Sequence, residues 1–433
     1  MILPVIIFVL AYIFIATEKF PRHYVALIGG ALLILFGILS PMEALSYINW
    51  ETLGLLAGMF TLVSILEEAG FFKWLAMRAL KKFDYHPVSL FVILIVFAAI
   101  MAMFVDSITV MLFLSALTLQ LGRLLKLDPV PLVIAEVCAA NTGGSATLVG
   151  DPPNVILGTT LGFNFADFAT HTGPISLLAS LLLLGMFYLT NRQALKNAHA
   201  LLTDETVNEI EALHKEPLHA QLTRIGLVFF LIAVVLLVFH TPLSHVIGFH
   251  INAAMAALIP AGLAILFMQN NDRKKALLKV DSESILFFAG LFVLIGGLEK
   301  INLFEQIASG LSNWAHDHST LVMVLHWVPG LASGIVDNVP LALAMSYVLK
   351  DLAQIPGAPE LALMVWSLAL GVNLGGNLTP IGASANVVAY SFMEKHHGSI
   401  GWKRWLTVAV PPTLAIMIFA SFSVLFKSQI GWF

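Results

Sequence analysis

Residues Asn141-Thr-Gly-Gly-Ser-Ala-Thr-Leu-Val-Gly-Asp-Pro-Pro-Asn-Val155 interrupt an otherwise apolar run, 131–158, with polar, glycine and proline positions. Asn141 lies about ten residues into that run, roughly 15 Å along a helix rising 1.5 Å per residue. Gly143 and Gly144, followed by Gly150-Asp151-Pro152-Pro153, cannot continue a regular helix, because proline lacks the donor and glycine costs backbone entropy. The backbone therefore opens in mid-membrane, which is tolerated only inside protein or beside a wet cavity. Such a break offers carbonyls from one half-helix and N–H groups from the other, ligands for cations and anions respectively. Small-residue helix packing explains Gly143 and Gly144. It does not explain two prolines and two asparagines, so the stretch reads as a binding site. Its candidates are Asn141, Thr142, Gly143, Gly144, Thr147, Asp151 and Asn154.

The stretch has a copy. Asn373-Leu-Gly-Gly-Asn-Leu-Thr-Pro-Ile-Gly-Ala-Ser-Ala-Asn-Val387 repeats 7 of its 15 residues at an offset of 232. Upstream, Val105-Asp106-Ser107 matches Val336-Asp337-Asn338, and Glu51 to Gly58 matches Glu283 to Gly290. The copy adds Asn373, Gly375, Gly376, Thr379, Ser384 and Asn386 to the candidates. Asp106 and Asp337, each followed by a small polar residue, add Ser107 and Asn338. A carboxylate inside a membrane segment is costly and marks function by default. Each Asp is placed at the tip of a re-entrant hairpin, 88–125 and 320–350, where capping the second half-helix is the plainer role. Asp151 faces Ala383 in the copy, so the halves are not equivalent.

The composition demands a bilayer. Of 433 residues, 59% are hydrophobic and 11% charged, where soluble domains carry about 25% charged residues. Full-length apolar spans read at 2–17, 24–40, 52–69, 173–190, 225–240, 247–268, 284–299 and 405–427. The first is read as a retained span, since it lacks a basic lead and a small-residue cleavage site. With 131–158 and 361–392 crossing once and the hairpins returning to their own side, 19 of the 22 Lys and Arg residues fall on one side. Lys300, Lys350 and Lys427 fall on the other. The basic side is cytoplasmic by the charge rule, which puts both termini outside. Replacing each hairpin by two spans changes no parity, so charge leaves that choice open. Five crossings separate Trp50 from Ser282, an odd number, which gives the halves opposite topology.

The expected fold is an all-α polytopic membrane protein of two inverted repeats, with about ten crossings, two hairpins and two broken helices. The halves are 1–190 and 225–433, joined by a cytoplasmic linker at 191–224 with room for a short surface helix. Asp106, Asp337, Asp151 and Glu136 are the candidate coupling groups for H⁺ or Na⁺. For Glu136 a hydrogen-bonded buried role is the plainer alternative to a proton relay. Na⁺ at the Asn141 and Asn373 motifs is the one metal considered. His240, His245 and His250 read as solvated interfacial residues, and His396-His397 as structural. Cys138, the only cysteine, excludes a disulfide framework and a thiolate site. No phosphate-binding glycine loop or hydrolytic triad is present, and nothing suggests a nucleic-acid surface. The chain reads as a transporter and not as an enzyme.

The quoted stretch, together with Asp337-Asn-Val-Pro340 and Gly376-Asn-Leu-Thr-Pro-Ile-Gly-Ala-Ser-Ala-Asn386, resembles the signatures of the arsenite-permease and melanosomal P-protein branch of the ion transporter superfamily. The resemblance runs from about Trp50 to the C-terminus. It implies a citrate-transporter-like fold, a mobile transport domain moving past a dimerising scaffold as an elevator, and placement in the plasma (inner) membrane. It implies a small inorganic solute, arsenite or antimonite, driven by H⁺ or Na⁺. An arsenite-pump-like member would also take an ATPase partner subunit. Relatives include Na⁺/H⁺ antiporters, anion channels and carboxylate carriers. The carboxylate carriers have neutral hairpin tips where this chain has Asp106 and Asp337. With no Lys or Arg in either motif, a multiply charged anion lacks an obvious counter-ion.

Overall fold

The computed structural model describes residues 2–17, 19–199, 203–212, 218–314 and 317–432. Lys215, counted above on the basic side, lies outside the described residues. The described residues are helical, with no strand among them. Among the described residues, seven helices are long and apolar enough to cross a membrane, and four shorter apolar helices accompany them.

The chain opens with α1 (Ile2–Thr17), α2 (Arg22–Leu35), α3 (Pro41–Tyr47), α4 (Trp50–Glu68) and α5 (Phe71–Lys81). The 88–125 stretch folds as α6 (Pro87–Ala102) and α7 (Ser107–Leu124), and 131–158 as α8 (Pro129–Gly144) and α9 (Pro152–Leu161). After α10 (Phe165–His171) and α11 (Gly173–His199), the linker holds the short α12 (Asp204–Ala212). The order then recurs: α13 (Ala220–Ile247), α14 (Ala253–Phe267), α15 (Asn270–Leu278), α16 (Ser282–Glu299) and α17 (Leu303–Trp314). A second helix pair follows as α18 (His318–Ser333) and α19 (Asn338–Leu352). A second interrupted helix is α20 (Leu361–Gly375), a 3₁₀ turn and α21 (Ser384–His396), and α22 (Trp402–Ile430) ends the chain.

Small residues bring helices together. Gly30 of α2 faces Val293 of α16, and Gly290 of α16 faces the Ala26 backbone. Gly54 and Gly58 of α4 face Ala254 and Ala257 of α14 in the same manner. Within the remaining helices, α6 packs on α8 and α18 on α20. The short half-helices reach across: α9 docks on α19, and α21 docks on α7.

One expectation is corrected here. Gly143 and Gly144 do not open the helix, because α8 runs through both and the chain departs only at Ser145–Asp151. Gly143 instead lets α8 lie against the Ala99 backbone of α6, and Gly375 does the same against Gly330 of α18.

Ion pairs tie several basic residues to acids on distant segments. Lys279 reaches Glu67 and Glu68 at 3.3 and 3.2 Å, Lys81 reaches Glu211 at 2.9 Å, and Arg404 pairs with Asp128. Lys300 pairs with Glu43 at 2.6 Å, apart from these.

Candidate functional site

Both helix breaks end alike. Asp151 is extended (φ −145°, ψ 141°) before α9, and Ala383 is extended (φ −148°, ψ 149°) before α21. Neither helix start has a side-chain cap. Asn154 and Asn386, each third in its helix, turn back to close the break. Asn154 Nδ2 donates to the Gly144 and Thr147 carbonyls at 3.2 and 2.8 Å. Asn386 Nδ2 donates to the Gly376 and Thr379 carbonyls at 2.8 and 2.7 Å.

Carbonyls only accept, so these contacts fix which end of each amide carries its nitrogen. The oxygens of Asn154 and Asn386 must then face the opposite copy. Asn373 Nδ2 donates to Asn154 Oδ1 at 2.8 Å, and Asn141 Nδ2 donates to Asn386 Oδ1 at 2.8 Å. Asn141 also donates to Asn377 Oδ1 at 2.9 Å. With both nitrogens committed, Asn141 Oδ1 and Asn373 Oδ1 are left buried without a donor. Two orphan acceptors at the meeting of two broken helices suit a cation, since a buried acceptor without a partner is otherwise costly.

The hairpin tips are pinned to the breaks. Thr147 Oγ1 donates to the Met103 carbonyl, and Thr379 Oγ1 donates to the Gly334 carbonyl at 2.5 Å. Asp106 and Asp337 cap α7 and α19, accepting from Thr109 N at 3.2 Å and Val339 N at 3.0 Å. Capping leaves Asp106 Oδ1 buried and without a partner. Asp151 joins the two tips: its carboxylate accepts from Ser107 Oγ and from Asn338 Nδ2, both at 3.0 Å.

The copies differ at Asp337. Its Oδ2 accepts from Ser384 Oγ at 3.1 Å and lies 3.9 Å from Arg22 Nη1. Arg22, at the start of α2, also donates to Ser384 Oγ, and to Ser284 Oγ at 2.9 Å. These side chains border a 450 Å³ cavity together with Tyr12, Lys19 and Asp281. Asp106 lines only a 10 Å³ void closed by Leu55, Leu56, Met59 and Phe60, while Glu51 and Ala253, which match Glu283 and Arg22, line a 700 Å³ cavity elsewhere.

Not every candidate reaches this centre. Thr142 Oγ1 bonds back to the Cys138 carbonyl of its own helix at 2.6 Å. Glu136 is buried on α8, accepting from Thr118 Oγ1 at 2.6 Å, with Oε2 unpartnered. His240, His245 and His250 line a separate 700 Å³ cavity beside Glu51. Arg22, Asn377 and Ser284 were not singled out from sequence. Asn377 had a signal, since it stands opposite Ser145 inside the quoted copy. Arg22 had none, because 362 residues separate it from Ser384.

The pattern of the family described as citrate transporter matches residues 12–371. The chain belongs to the citrate transporter family. An uncharacterized transporter of Mycobacterium tuberculosis is 31% identical over 426 residues, 97% of each chain. The 46 kDa membrane protein of Mycobacterium leprae is 32% identical over 394 residues, 89% of each. The mouse P protein is 29% identical over 502 residues, covering 97% of this chain and 60% of that one. Among solved structures, the Alcanivorax borkumensis YdaH transporter matches with a TM-score of 0.59 at 14% identity, covering 93% of this chain and 89% of that one. That likeness supports the fold alone. The superfamily expected from the motifs is the one found, and this citrate transporter family member is an integral membrane transporter.

Proposed function

We propose that the chain is a cation-coupled secondary transporter of a small anion, built as two inverted repeats that expose one central site alternately to the two sides. The observations that carry the coupling are the pair of orphan oxygens on Asn141 and Asn373 and the Asp151 carboxylate that bridges the two tips. Na⁺ suits the amide oxygens as ligands, and H⁺ would load the Asp151 carboxylate. Support for the inverted repeat comes from reciprocity: α9 on α19 answers α21 on α7, and α2 on α16 answers α14 on α4.

Arg22 bears on the solute. The motifs lack a basic residue, but the fold carries one from α2 to Ser384 at the wall of the cavity. Arsenite is an uncharged trihydroxide near neutral pH and needs no counter-ion. A carboxylate or an inorganic oxyanion makes use of the guanidinium. The family's description as citrate transporters points the same way. Na⁺/H⁺ antiport is the second reading, favoured by the same orphan oxygens if they hold the transported cation itself.

The 450 Å³ cavity borders Lys19, Arg22, Asp281 and Asp337, whereas Asp106 lines only a 10 Å³ void. By the charge rule the side of Lys19 and Arg22 is cytoplasmic, so this is the inward-open arrangement, and an elevator-like movement of the hairpins and broken helices would open the other. Reconstitution into vesicles tests the proposal. Labelled citrate, phosphate and arsenite are offered under an imposed Na⁺ or pH gradient. Uptake driven by one gradient and lost in Asp106→Asn or Asp337→Asn is expected. Cation exchange with no solute dependence identifies the antiporter, and conductance independent of both gradients overturns coupling.

A further inference from the structure

We propose that Arg22 is the internal counter-cation of Asp337, held on the static helices so that it pairs with the moving hairpin tip only when the site opens to the basic face. The inference rests on the alternating-access reading above and assigns a positioning role to a residue outside every motif.

The geometry is a chain of contacts between two layers. Asp281 caps α16 and accepts from Ser284 Oγ at 2.5 Å. Ser284 in turn accepts from Arg22 Nη2, and the guanidinium lies over the Phe287 ring, 4.9 Å from its centroid. Three groups on α16 and its cap therefore orient Arg22 from one side. From the other side come only Ser384 and Asp337, at the starts of α21 and α19. Arg22 thus belongs to the α2–α16 layer and reaches across a cleft to the site.

The contact is made to be broken. The Arg22 and Asp337 side chains are 28% and 15% exposed, and the charged atoms stand 3.9 Å apart. A pair this open to water is weak enough to exchange with a solute ion. Vertical travel of the hairpin relative to α2 would separate the two altogether.

Among the described residues, the opposite half has no such residue. α14 starts at Ala253 as α2 starts at Arg22, and the Ala253 amide donates to Glu51 Oε1 at 2.9 Å. The lining of the void around Asp106 holds no Lys or Arg. Asp337 therefore has Arg22 at ion-pair distance, and among the described residues Asp106 has no ion pair. Arg22 competes with the coupling cation on the basic face and favours its release there. It also holds a positive group ready for an anion at that mouth.

Cysteine chemistry reads this field directly, because the only native cysteine, Cys138, is buried. Ser384→Cys is placed in the full-length protein with Arg22, Arg22→Gln or Arg22→Lys. Each is treated with a cationic and an anionic thiosulfonate of equal size. With Arg22 the anionic reagent is favoured. In Arg22→Gln the rate ratio swings toward the cation by about fivefold or more, the lower end of site–site coupling, and Arg22→Lys restores it. An unchanged ratio overturns the proposal. Thermal unfolding of the single and double variants gives a second measure. The Arg22→Gln and Asp337→Asn shifts are expected to be non-additive, and additive shifts overturn the pairing. Neither measurement needs transport. Vesicles that move no solute would sink the transport reading and leave only the Arg22–Asp337 pairing standing, while an unchanged ratio beside gradient-driven uptake overturns the pairing and leaves transport.

Discussion

Asp151 occupies the place of Ala383, and its two acceptor bonds show what the substitution achieves. Asp151→Ala strands the Ser107 hydroxyl and the Asn338 amide in a buried site, at about 1–3 kcal/mol for each unsatisfied group. Its unfolding midpoint is expected to fall clearly. Asp151→Asn keeps an oxygen for Asn338 and offers an N–H that the Ser107 hydroxyl can accept. It is expected to melt near the wild-type temperature while losing gradient-driven uptake. If Asp151→Ala melts as the wild type does, the bridge has no structural value. The orphan oxygens make a separate prediction. A bound cation stabilises the native state by an amount that grows with the logarithm of its concentration over Kd, so Asn141→Ala and Asn373→Ala are each expected to abolish stabilisation by the proposed coupling ion. A retained thermal shift in both would remove these oxygens from the site. Asn141, Asn154, Asn373 and Asn386 were legible in sequence because amides repeated inside apolar runs have no packing explanation. The partners of those amides were not legible, since Asn141 finds Asn386 only through the docking of α21.

At the scale of the element, glycine separates contact from freedom. A Cβ on Gly143 would meet the Ala99 backbone, and one on Gly375 would meet Gly330. Backbone cannot rotate away, so Gly143→Ala and Gly375→Ala are expected to destabilise by about 1–3 kcal/mol or more, as overpacking does. Gly262, inside α14, meets nothing within 4 Å. Gly262→Ala is expected to be neutral or to gain up to about 1 kcal/mol from helix propensity. Thermal melts of the three proteins check this, and equal effects at all three sites would contradict the packing. The sequence offered Gly143 and Gly144 both as part of the helix break and as packing residues, and composition does not reveal which neighbour lies opposite. It left the 88–125 and 320–350 stretches as hairpins or paired spans for a related reason, since either choice returns the chain to the same side. The contacts of Thr147 with Met103 and of Thr379 with Gly334 place both turns beside the breaks.

For the whole molecule, the unequal spaces around two matching carboxylates are the main mechanical fact. Val387 borders the 450 Å³ cavity, and Val155, its counterpart, lines the 10 Å³ void and is 1% exposed. Two copies of one design in one chain cannot both be open if a single barrier is to hold, so on the proposed alternating-access reading this difference is the form a half-cycle would take. The repeat was legible from sequence, because a shared offset survives without any contact being known. Which copy stands open was not, because that depends on how two layers are set against each other. Cysteine reactivity checks the setting. An impermeant thiol reagent applied from the basic face is expected to modify Val387→Cys and spare Val155→Cys in the resting protein. Under a gradient that drives uptake, Val155→Cys is expected to become reactive from the opposite face while Val387→Cys slows. Alternation in that sense requires the closed side of Asp106 to open as the Arg22 side shuts. Both cysteines reacting together from one face would mean a continuous pathway, and the chain would then work as a channel.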